Sequence, residues 1–143
     1  ALLAADKSYL QDVGLSPMDI KAIIPVGGGY DIPDYKKAMK IEDSTLIETH
    51  INVVFGQTHE EHLNASPTSF IDSFDTHMLM LSENYTYPFS LIFEKALSDR
   101  KFKKFQVLNV HNESHGSLWK KLGSPTECIY RNYMVDYIFS MSL

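Results

Sequence analysis

Short apolar-rich runs at 22–26, 77–81 and 105–110 are each bounded by polar or turn-forming residues. Runs of this length are too brief for a buried helix, and they lack the strict alternation of a half-exposed strand. They read as strands covered on both faces, as in a parallel sheet. Between the second and third, the stretch 88–97 reads as the helix that crosses over from one strand to the next. The expected arrangement places 77–81 beside 105–110 in parallel, with 22–26 on the far side of 77–81. Pro25 gives up a ladder donor, which fits a strand end better than its middle. Ahead of that strand, a first helix closes near Val13 and Gly14, where glycine suits a C-cap, and Ser16-Pro17-Met18-Asp19 forms a short N-capped turn. From Asp31 to Phe74 no strand is expected, and 35–39, 45–54 and 60–63 read as helical pieces between breakers. In the closing segment 127–141, Tyr130, Met134, Tyr137, Ile138 and Met141 share one helical stripe, the face expected to pack on the sheet.

Composition narrows the function classes without choosing among them. The chain has 143 residues, 44% of them hydrophobic and 22% charged, with a net charge of -5. That balance makes nucleic acid an unexpected partner, and no apolar run approaches the ~20 residues needed to span a bilayer. The single cysteine, Cys128, excludes an intramolecular disulfide and favours a reducing, cytoplasmic setting. Sequons at Asn64, Asn84 and Asn112 are read as unused, because a glycan on Asn112 would crowd the loop that carries His115. No cofactor is expected. Gly27-Gly28-Gly29 follows a strand, yet neither the phosphate-loop lysine nor the G-x-G-x-x-G spacing comes after it, so a close-packed turn is the better account. His59-Glu60-Glu61-His62, and His111 with His115, have metal-like spacings but lack the three or four convergent ligands that a zinc site needs.

The residue with most chemical promise is His115, in a short polar loop beyond the strand 105–110, where a general base is at home. Around it the order of elements is strand, acidic turn, helix, strand, histidine loop. Ala1-Leu2-Leu3-Ala4-Ala5-Asp6 with Tyr9-Leu10, the strand ending Val26-Gly27-Gly28-Gly29-Tyr30-Asp31, the turn Asn64-Ala65-Ser66-Pro67, and Ser114-His115-Gly116-Ser117-Leu118 occur in that same order. Together these resemble the C-terminal half of an α/β-hydrolase, an esterase or lipase of the carboxylesterase-like or hormone-sensitive-lipase-like kind, with the formamidases close by.

The resemblance implies an α/β fold over 1–143. This would be the C-terminal part of a doubly wound sheet, about three parallel strands with flanking helices, carrying part of a substrate-covering cap at 32–74. It implies hydrolysis of a small-molecule carboxylic ester through a relay in which serine attacks, histidine takes its proton and a carboxylate orients the histidine. No G-x-S-x-G occurs in the chain. The nucleophile is therefore expected on an N-terminal half that pairs with strand 22–26, as a separate chain or a preceding segment, and the chain alone is expected to be inactive. His115 takes the base role. The acid is open among three positions. Alignment of Met80-Leu81-Ser82-Glu83-Asn84-Tyr85 with the family's strand end puts Ser82 at a glycine and Tyr85 where an aspartate belongs. Glu83 is preferred, since its longer side chain reaches further than its position implies, and it also reads as a solvated turn residue. Asp31 is the third choice, with a structural turn role favoured. The rival reading is a non-catalytic relative that keeps the fold for binding or scaffolding.

Overall fold

The computed structural model describes residues 6, 8–42 and 45–141. The leucine- and alanine-rich opening at residues 1–5 lies outside them. The chain is an α/β fold built on a three-stranded parallel sheet flanked by helices, in the order β1-β2-β3. The strands are β1 (Ala22–Ile23), β2 (His77–Glu83) and β3 (Phe105–Val110). Helices in chain order are α1 (Ser8–Gln11), α2 (Ile32–Glu42), α3 (Val53–Phe55), α4 (His59–Asn64), α5 (Tyr87–Asp99), α6 (His115–Leu122) and α7 (Ile129–Ser140). No described helix is long and apolar enough to cross a membrane.

β2 is central and explains the fold. Its residues from Met78 to Glu83 are all buried, and period-two alternation sends them to two different layers. Met78 and Met80 face α5 and pack in a cluster with Tyr30, Phe74, Phe93 and Leu97. Tyr30 and Phe93 stack with ring centroids 4.8 Å apart. Leu81 faces the other way and packs with Val110 and Leu118 against α6 and α7. Removing one of these side chains costs a cavity as well as lost transfer energy.

The strand at 22–26 is shorter than its sequence implies. β1 has two residues, and pairing resumes only at a single bridge between Val26 and Leu81. The interruption sits at Pro25: its carbonyl still accepts from Leu81 N–H at 2.9 Å, but it has no N–H to return. In the opposite direction β2 runs past residue 81 to Glu83, with Ser82 paired to Asn109 and Glu83 to Val110.

The segment between Asp31 and Phe74 contains no strand among the described residues, as expected. Beyond α2, a π-helical stretch Ile47–Asn52 leads into α3, and α4 and a 3-10 stretch Pro67–Ser73 follow. Ile32, Met39 and Ile51 form a separate small core there. Ser66 ties it to the sheet's exit, accepting from Ile32 N–H at 2.8 Å and donating to the His62 carbonyl at 2.6 Å. The closing helix carries its expected stripe only in part. Tyr130 and Met134 pack against the core and Tyr137 is buried, but Ile138, at the margin of the stripe, is half exposed.

Candidate functional site

His115 is not in a loop. It is the first residue of α6, and Ser114 is the cap: its Oγ accepts from Ser117 N–H at 3.1 Å while Ser117 Oγ accepts from Ser114 N–H at 2.8 Å. A serine-to-serine box of this kind does the work usually assigned to a Ser/Thr and Glu/Gln pair. The preceding turn is tight, with Asn112 in the left-handed region at φ 65°, a conformation asparagine tolerates. Glu113 fixes the helix laterally by pairing with Lys121 and accepting from Ser117 Oγ at 2.7 Å. The Lys121 hydrogen bond, aided by Ser117, holds the Glu113 carboxyl below the usual range.

Glu83 is not a solvated turn residue either. It ends β2 and is fully buried. Alternation decides its direction: Ser82 faces α5, where its hydroxyl meets Ser90, so Glu83 faces α6 with Leu81. A buried carboxyl requires partners, and among the described residues Glu83 has two. Oε2 accepts from Tyr85 N–H at 2.6 Å, and Oε1 lies 3.2 Å from His115 Nδ1. The structure thus brings His115 and Glu83 together. Tyr85 contributes its backbone, and its ring rests edge-on against Phe89. Asp31 is engaged elsewhere: one oxygen accepts from Asp34 N–H at the start of α2, and the other from Thr68 Oγ1 at 3.0 Å.

Two further residues complete the setting, of which the sequence marked only the glycine, as part of a turn. Trp119, one turn along α6, donates its indole N–H to His115 Nε2 at 3.2 Å. Indole nitrogen donates only, so Nε2 bears the lone pair and the neutral imidazole carries its proton on Nδ1, toward Glu83. Gly27 lies beneath the ring. Its φ is 59°, and a Cβ built there would stand 2.6 Å from His115 Cε1 and 2.7 Å from Nδ1. The glycine turn is therefore the close-packed one its sequence implies, and what it packs against is the imidazole. Thr86 Oγ1, near the same glycine, is buried with no hydrogen-bond partner among the described residues.

All of these groups lie at the carboxyl ends of the parallel strands, where loops of an open α/β sheet converge. The imidazole is half exposed rather than enclosed. The hollow between the glycine turn and the helical insertion has a volume of about 240 Å³ and is lined by Gly28, Gly29, Tyr30 and Pro67, among others, but not by His115. A larger cavity of about 530 Å³ lies between α6 and α7 and is lined by Lys120, Ser124 and Cys128, away from the pair. No group of three metal-ligating side chains occurs among the described residues. Comparison with models of protein families, with curated proteins and with solved structures gives no match to this chain.

Proposed function

We propose that His115 and Glu83 are the general base and orienting acid of a serine hydrolase that cleaves carboxylic esters, with the serine supplied from outside these 143 residues. The observation that carries this reading is the buried carboxyl of Glu83 within 3.2 Å of the Nδ1 of a half-exposed imidazole, at the carboxyl edge of a parallel sheet. In such a relay the carboxylate fixes the Nδ1–H tautomer and stabilises the imidazolium formed when Nε2 removes the serine proton. Both partners of His115 favour that tautomer. On this reading the sheet is the C-terminal part of a doubly wound hydrolase sheet, the insertion at 32–74 is part of a cap, and the N-terminal strands pair along β1, whose outer edge is unpaired among the described residues. An amide such as a formamide is the less favoured substrate.

One observation favours a second reading, a non-catalytic protein of the same fold: Trp119 occupies the nitrogen that a base must present. Hydrolysis of short-chain p-nitrophenyl esters by a protein that joins this chain to a G-x-S-x-G segment separates the two. His115→Ala should lower kcat/KM by several orders of magnitude with folding intact, and Glu83→Gln by less. Activity within a few-fold of wild type in the His115 variant would remove His115 from the reaction, and a wild type without activity would replace the enzyme with the binding module.

A further inference from the structure

The imidazole of His115 is held from both ends. Glu83 fixes Nδ1, and that alone suffices to choose the tautomer, because a carboxylate accepts and does not donate. The indole of Trp119 is therefore redundant for the tautomer, and its effect falls on Nε2. Its N–H lies 3.2 Å from that lone pair, and the two rings meet edge to face with centroids 6.3 Å apart. Any hydroxyl approaching Nε2 must displace it. The indole borders solvent, into which it can swing: Trp119 is 50% exposed.

We propose that Trp119 is a gate over the reactive nitrogen of His115, with Nε2 open to an incoming group only when the indole has swung away from it. The inference deepens the hydrolase reading and rests on it for the identity of that group, a serine hydroxyl. The covering of Nε2 needs no nucleophile, so it is tested without one.

The test is carbethoxylation of histidine by diethyl pyrocarbonate, followed residue by residue by peptide mass spectrometry, on the protein and on Trp119→Phe, which keeps an aromatic ring and removes the donor. Loss of one net hydrogen bond of ordinary strength should speed modification of His115 by about five-fold. Exposed His50, His59 and His111 should react at unchanged rates as the reference for the reagent, and buried His62 should stay protected while the fold is intact. Equal rates at His115 in the two proteins would overturn the gate. If the variant does not fold, the wild type still decides. The chain has a single tryptophan, so its indole proton is assigned at once by NMR. That proton should shift as His115 is protonated and its lone pair disappears; a resonance indifferent to the His115 titration would refute the contact. Faster modification in Trp119→Phe alongside a fully active His115→Ala enzyme supports the gate over the imidazole and removes His115 from the hydrolysis. Unchanged modification alongside an inactive His115→Ala enzyme removes the gate and leaves the hydrolase.

Discussion

Replacing Gly27 by alanine should cut His115 away from Glu83, and a second glycine in the same chain supplies the control. Gly14 has φ 73° and open space where a Cβ would go, whereas Gly27 has φ 59° and His115 atoms at 2.6 and 2.7 Å. Both substitutions force an L-residue into the left-handed region at about 1 kcal/mol. Only Gly27→Ala adds a contact. A carbon needs about 3.5 Å from the ring, so the imidazole must retreat by almost 1 Å. Because His115 is half exposed, it relieves the contact by turning toward solvent. The distance to Glu83, now 3.2 Å, then passes beyond hydrogen-bond range. A buried carboxyl left with the Tyr85 N–H alone loses about 1–3 kcal/mol. The expected totals are about 2–4 kcal/mol for Gly27→Ala and about 1 kcal/mol for Gly14→Ala. Urea unfolding of the two variants measures the difference, and the His115 ring resonances in NMR report whether the pair has parted. Equal destabilisation of the two variants, with an unchanged His115 spectrum, would refute the argument.

Other expectations are as direct. Phe93→Ala, at the centre of the cluster between β2 and α5, should cost about 3–5 kcal/mol by urea unfolding. Thr86→Val removes a buried hydroxyl that has no partner among the described residues and should leave stability unchanged or raise it by up to about 1 kcal/mol, read by thermal melts. Burial pushes the Tyr30 phenol up to about 12, against a slight lowering by the neighbouring Ser90, beside which its hydroxyl sits without an aligned hydrogen bond. The unfolded chain therefore releases this proton first, and stability should fall as pH rises from about 10 toward 12, by about 2–3 kcal/mol in all. Unfolding of Tyr30→Phe over the same range should lack that decline, and an identical decline in the variant would assign it to other groups.

The positions of the strands and the helical character of 31–74 were legible in the sequence because they follow from local features: an unbroken apolar run for β2, breakers between short amphipathic pieces for the insertion. The strand order also followed, since β-helix-β spacing leaves few ways to connect parallel strands. The partner of His115 followed only as a preference for Glu83 over Asp31, argued from the reach of its side chain, since Glu83, Tyr85 and Asp31 all come shortly after a strand signal. The extent of β2 supplies the geometry. Pairing with β3 continues to Glu83, alternation then turns its side chain toward α6, and burial leaves its carboxyl dependent on a neighbour. Trp119 was invisible for a related reason: its four-residue spacing from His115 has meaning only once His115 stands on a helix, and that helix begins at Ser114 through a cap made with Ser117, not with the acidic residue that usually signals one. Gly27 shows the same division. Its turn was readable from three consecutive glycines, but the need for glycine at that one position comes from an imidazole 88 residues later in the chain, which only the folded sheet brings against it.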